Sequence, residues 1–214
     1  MIHHCKMYFM VIRSKQRLNI FKPFNIVLVE PEIPPNTGNI ARLCSATNTK
    51  LHLIHPLGFK ITDKELKRAG LDYWHLLDVE EYENWEEFCL NHSVKRHCEE
   101  WNDEAISKTL EDCRVGAKAP PRNDNNSNSW YISTRGEKNI WDVEFNPGDY
   151  LVFGSETKGL SEEILNSNKN SVISIPMNGK TRSLNLSTAV GTVLYEGLRQ
   201  LTVEKKLIVV VPIG

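Results

Sequence analysis

The chain alternates short apolar runs with stretches that are apolar at only one position in three or four. Phe24-Asn25-Ile26-Val27-Leu28-Val29 is apolar at almost every position, as in a strand covered on both faces. Pro31, Pro34 and Pro35 end it. Asn36-Thr37 then offers a helix N-cap, and Ile40, Leu43, Cys44 and Thr47 recur at helical spacing as a buried stripe. Arg42 falls off that stripe. Leu51 to Ile54 predicts a second strand, ended by Pro56 and Gly58, and Asp63 predicts the cap of a short charged helix stopped by Gly70. Leu76-Leu77-Asp78-Val79 predicts a third strand, and Trp85 to Leu90 the helix after it.

Between about 91 and 129 the periodicity dissolves. Pro120 to Asn128 is polar and of low complexity, with too little apolar surface to bury, and predicts an insertion without stable order. Strand patterns resume at Trp130 to Thr134, Tyr150 to Phe153 and Val172 to Ile175. The last helix is predicted from about Leu184 to Leu201, with Leu186, Val190, Val193, Leu194, Leu198 and Leu201 on one face. Strands alternating with helices predict an α/β fold with a parallel sheet flanked by helices. The organisation expected is a basic extension over 1–23, one domain over 24–202 carrying the 91–129 insertion, and a tail over 203–214.

Charge and cysteine content narrow the partners. With 26 basic and 27 acidic residues the formal net charge is −1, so any nucleic-acid contact must come from a local patch or an assembled surface. The uncharged apolar run Leu207 to Ile213 is far too short to span a bilayer, and no membrane partner is expected. Five cysteines at irregular spacing point to a reducing compartment, here the cytoplasm. The first 29 residues carry Lys6, Arg13, Lys15, Arg17 and Lys22 and no acid, a bias compatible with organellar targeting or with a plain basic extension. Cys89, His92, His97 and Cys98 match no standard zinc spacing, so no metal is expected.

The candidate chemistry lies in the last third. Gly154-Ser155-Glu156-Thr157-Lys158-Gly159-Leu160 follows a strand, as a phosphate-binding loop would. It lacks the Lys and hydroxyl of G-x-x-x-x-G-K-[ST], and it is not G-x-G-x-x-G. It stands with three further loops at predicted strand ends: Ile132 to Gly136, Ile175-Pro176-Met177 and Ser183 to Ser187. In a parallel sheet such ends gather beside each other, where ligands bind.

Five segments in order carry a resemblance. They are Pro31 to Cys44 with its Asn36-Thr37-Gly38-Asn39-Ile40-Ala41-Arg42 core, Lys67 to Tyr73, Phe153 to Leu160, Ile175-Pro176-Met177, and Arg182 to Ser187. Together they resemble the TrmL branch of the SPOUT RNA methyltransferases, tRNA (cytidine/uridine-34)-2′-O-methyltransferases, over about residues 24–90 and 130–202. The resemblance implies a C-terminal trefoil knot, a homodimer, tRNA as substrate, and S-adenosylmethionine as cofactor with S-adenosylhomocysteine as product. It places cofactor contacts on Ile132, Gly154, Ile175 and Ser183, with Glu156, Gly159, Met177 and Asn185 as neighbours. It places the catalytic role on Arg42, with Asn36 beside it. A guanidinium stays protonated, so Arg42 is expected to orient the ribose 2′-hydroxyl and stabilise developing negative charge rather than act as base. Lys67 and Arg68 are expected on a basic stripe or a solvated helix face, and Tyr195 at the dimer interface or in the core. The alternatives are ribose methylation at another tRNA or rRNA site, and a non-catalytic RNA-binding protein that keeps the fold. A Rossmann-type nucleotide module lacks its fingerprint.

Overall fold

The computed structural model describes residues 22–59, 77–92 and 127–203. The expected Asp63–Gly70 helix, the Lys67–Tyr73 segment and most of the 91–129 insertion lie outside them.

Among the described residues seven strands form one sheet in the order β3-β2-β1-β6-β4-β7-β5, all paired in parallel. They are β1 (Asn25–Val29), β2 (Lys50–Ile54), β3 (Val79–Tyr82), β4 (Ser129–Ile132), β5 (Lys138–Asn139), β6 (Tyr150–Phe153) and β7 (Val172–Ser174). Among the described residues four α-helices flank the sheet: α1 (Pro34–Thr47), α2 (Trp85–His92), α3 (Glu162–Ser167) and α4 (Leu186–Val203). Successive strand residues point to opposite faces, so the apolar runs feed two cores. Ile26, Leu28, Leu51 and Leu53 pack with Ile40 and Cys44 of α1 and with Val190, Val193 and Leu194 of α4. Val27, Val29, Ile54 and Val152 pack with Phe88 of α2 and Ile164 and Leu165 of α3. All six residues predicted for the apolar face of the last helix are buried. Burial pushes the Cys44 thiol up to about 12, which makes it an inert core residue.

Several expected boundaries move. The N-cap of α1 is Ile33, with Pro34 at the first helical position, so Asn36 lies inside the first turn and caps nothing. Proline tolerates that position because its missing N–H would have no helical partner. The third strand starts at Val79 rather than Leu76, in register with Leu51 to Ile54. Among the described residues β3 has a neighbour on one side only, and such an edge position accepts Glu80 and Glu81. β7 stops at Ser174, one residue short of Ile175, and α4 starts at Leu186 after Asn185. Order extends further into the expected insertion from both ends. α2 runs to His92, and Asp149, fully buried, accepts hydrogen bonds from Asn128 N (2.7 Å) and Trp130 Nε1 (3.0 Å).

Candidate active site

The cleft of interest, of about 550 Å³, opens at the C-terminal ends of β4, β6 and β7. Its floor is a backbone fold-back. Residues 154–160 double over so that Gly159 N donates to Ser155 O (2.9 Å) and the two residues form an isolated bridge. A Cβ on Gly154 would stand 2.0 Å from the Gly159 carbonyl carbon, and Gly159 itself has φ +71°. Only glycine permits both conditions, because any side chain would collide at the first and be strained at the second. Ser161 then caps α3 by accepting from Ile164 N (3.3 Å), which aims the chain away from the cleft.

Glu156 does not simply face solvent from this loop. Its carboxylate accepts hydrogen bonds from Glu32 N (2.8 Å), Ile33 N (3.2 Å) and Asn36 Nδ2 (2.9 Å). α1 has no acidic residue in its first turn and no side-chain cap, so Glu156 supplies the negative group at its positive end. Asn36 Oδ1 accepts in turn from Asn185 Nδ2 (2.9 Å). The Asn185 Oδ1 atom receives Ser187 N (2.9 Å) and Thr188 N (3.4 Å), which caps α4. One polar chain, Glu156–Asn36–Asn185, therefore joins the glycine loop, the arginine-bearing helix and the last helix. Thr157 Oγ1 adds a bond to the Glu32 carboxylate (2.7 Å).

Ile132, Gly154, Glu156, Gly159, Ile175, Met177, Ser183 and Asn185 all line this one cleft, and so does Asn36. Arg42 does not line it. It is exposed on α1, facing away from the core, and has an interaction of its own. Lys158, Arg135 and Arg182 also line the cleft and were not singled out from the sequence as site residues. Arg135 pairs with Glu162 at the start of α3. The motif spacing gave no reason to separate these cations from ordinary surface charge.

The size lies in the range of small-molecule sites, roughly 300–1,000 Å³, and the lining combines apolar side chains with a few polar groups. Ile132, Ile175 and Leu186 offer a surface for a flat ring, and the loop backbone offers N–H and C=O groups to its edge. Among the described residues no histidine or cysteine lines the cleft.

The sequence profile of the SpoU rRNA methylase family matches residues 23–195. The chain belongs to that family. Among relatives of this SpoU methylase, the tRNA (cytidine(34)-2′-O)-methyltransferase of Saccharophagus degradans is 44% identical over 179 residues, 83% of this chain and 96% of that protein. The enzyme of the same name from Yersinia pestis is 40% identical over 178 residues, covering 83% and 93%. A solved structure presented as insight into the 2-OH methylation of C/U34 on tRNA is 39% identical, with a TM-score of 0.64 over 84% of this chain and 96% of that one. The SpoU methyltransferase AviRb from Streptomyces viridochromogenes, solved with AdoMet, shares the fold at 21% identity and a TM-score of 0.61, over 88% of this chain and 62% of that one.

Proposed function

We propose that this SpoU methylase transfers a methyl group from S-adenosylmethionine to the ribose 2′-oxygen of the wobble nucleotide, position 34, of tRNA. The observation that carries the reading is the convergence of Ile132, Gly154, Ile175 and Ser183 on one cleft tied directly to the arginine-bearing helix. The near full-length likeness to enzymes named for cytidine 34 supplies the position.

The cofactor brings its own leaving group, so the protein's task is alignment. The glycine loop and the segments at Ile132 and Ile175 hold the cofactor through backbone groups and apolar walls. Glu156, Asn36 and Asn185 fix α1 relative to that cleft. Arg42 orients the ribose hydroxyl and the neighbouring phosphate and stabilises the charge that grows on the 2′-oxygen. Lys158 and Arg182 at the cleft attract the RNA backbone.

The reading includes a C-terminal trefoil knot and a homodimer. The knot is supported by the strand order β6-β4-β7 and by α4, last among the described elements, returning to pack on α1. The dimer is supported by Tyr195, half exposed on α4, with Leu184 and Ile33 also exposed. It is supported too by Arg42, which stands outside the cleft that one chain forms. A Tyr195→Arg variant should sediment as a monomer where the natural chain sediments as a dimer.

Mapping 2′-O-methyl groups in tRNA from cells lacking this protein tests the function. Loss at position 34 alone is the expected result. Loss at another tRNA or rRNA position, with 34 intact, favours the alternative substrate.

A further inference from the structure

Away from the cleft, on the α2 face of the sheet around β2 and β3, a second group of polar side chains converges on one atom. The Tyr82 hydroxyl lies 3.1 Å from His52 Nδ1, 2.6 Å from His92 Nε2 and 2.5 Å from Glu80 Oε2. The three surrounding atoms all lie within 4.8 Å of one another. They come from β2, α2 and β3, and His52 is fully buried.

The far side of each group is also engaged. His52 Nε2 faces Asn25 Oδ1 at 3.4 Å, His92 Nδ1 faces the Tyr150 hydroxyl at 3.1 Å, and Glu80 Oε1 accepts from Lys50 Nζ at 2.5 Å. Outer partners of this kind orient the ligands of metal sites. Counting protons leaves the network one short. Tyr82 has one hydrogen and gives it to Glu80, an acceptor only, so both imidazoles must donate to the Tyr82 oxygen. His52 then meets Asn25 Oδ1 with a bare nitrogen. Turning the Asn25 amide would break its Nδ2 bond to Gly148 O (2.8 Å). The other tautomer of His52 satisfies Asn25 and leaves Nδ1 bare against Tyr82.

We propose that His52 Nδ1, His92 Nε2, Glu80 Oε2 and the Tyr82 oxygen bind one divalent transition-metal ion of the zinc class, which fastens the end of α2 to the sheet. Two imidazoles and a carboxylate are common ligands of such ions, and the phenolic oxygen supplies a fourth donor for a tetrahedral site. Tetrahedral edges at zinc are about 3.4 Å for bonds of about 2.1 Å. The two imidazole nitrogens and the carboxylate oxygen, within 4.8 Å of one another, therefore need to close in by at most about 1.4 Å. The Tyr82 oxygen, 2.5 to 3.1 Å from them, draws back to make room for the ion. With the ion in place, His52 takes the Nε2–H tautomer and satisfies Asn25, and the Tyr82 proton leaves to solvent. Burial, with smaller contributions from the neighbouring His92 and Lys50 charges, holds His52 down to about 3, and burial also lowers His92, so both nitrogens present lone pairs at neutral pH. The Lys50 cation is balanced by Glu80, whose partly exposed side chain gives the ion a path from solvent. This site is separate from the cleft and does not depend on the proposed methyl transfer.

The test is a Co²⁺ titration of the full-length, chelator-stripped protein, followed by Zn²⁺ competition. One equivalent should bind with the visible absorption of a four-coordinate ion, a tyrosinate difference signal should appear, and Zn²⁺ should displace the colour. Glu80→Gln and His92→Gln should each weaken binding at least 100-fold, and Tyr150→Phe, an outer partner, about 10- to 100-fold. Tyr82→Phe should abolish the tyrosinate signal. A His3→Ala, His4→Ala double variant, which removes the N-terminal histidine pair, should bind as the natural protein does. The wild-type titration needs no variant to fold. The proposal is overturned by no stoichiometric uptake, by uptake without the four-coordinate band, by uptake that vanishes in the His3/His4 variant, or by uptake unchanged in folded His92→Gln.

Discussion

Two polar networks lie in different parts of the same parallel sheet, one beside β4, β6 and β7 and one around β2 and β3, and they are built differently. The Glu156–Asn36–Asn185 chain borders an open cleft and joins a glycine loop to the starts of two helices. Most of its bonds involve backbone N–H groups or neutral amides, so little charge is buried. The cluster around the Tyr82 hydroxyl is enclosed by the rings of Phe88, Tyr150, His52 and His92, with centroids 4.8 to 5.9 Å apart. It concentrates titratable groups on one point. The first network leaves one side free for ligands and links three elements; the second turns its polar atoms inward and ties α2 to the sheet. A fold of this kind separates alignment for chemistry from fastening of its periphery, and substitutions should reveal that separation.

The sharpest break in the comparison is Arg42→Ala. Turnover should fall by about 10²–10³, the loss typical of one group that stabilises transition-state charge, with cofactor affinity nearly unchanged by calorimetry. Unchanged turnover would remove Arg42 from the mechanism. Gly154→Ala comes next. Its Cβ would meet the Gly159 backbone at 2.0 Å, so the loop must open and cofactor affinity should drop about 100-fold while far-ultraviolet dichroism keeps its helical signal. Glu156→Ala should act on both stability and rate. Losing the acceptor for the half-buried Glu32 N and the exposed Ile33 N costs about 1 kcal/mol, seen as a melting point lower by a few degrees, and turnover should fall about tenfold as α1 loosens. Tyr82→Phe belongs to the other network. It should lower the melting temperature by a few degrees and leave methyl transfer at the natural rate. A matching loss of activity would show that the two networks are coupled.

The cleft was legible in the sequence because its residues sit in contiguous segments at strand ends. Gly154 to Leu160 or Arg182 to Ser187 can be recognised without knowing which strands pair. Strand periodicity also sufficed for β1, β2 and β6, the central strands, whose apolar runs are covered on both faces. It misplaced β3 by three residues because an edge strand carries Glu80 and Glu81 and resembles a loop. It missed β5, which is only two residues long. Asn36 read as a helix cap from composition, yet its partners Glu156 and Asn185 lie 120 and 149 positions away, and only the fold makes them neighbours. The Tyr82 cluster was invisible for the same reason. His52, Glu80, His92 and Tyr150 each stand alone in their own elements, at no motif spacing. The cysteine- and histidine-rich stretch that drew attention instead, Cys89 to Cys98, contributes His92 to that cluster, while His97 and Cys98 lie outside the described residues.

The most direct measurement incubates the purified protein with methyl-labelled S-adenosylmethionine and unmodified tRNA, then maps alkali-resistant linkages along the RNA. A single resistant, labelled linkage at nucleotide 34, absent with Arg42→Ala, is the result this account predicts. Label on a base, or on a ribose elsewhere in the tRNA, contradicts it.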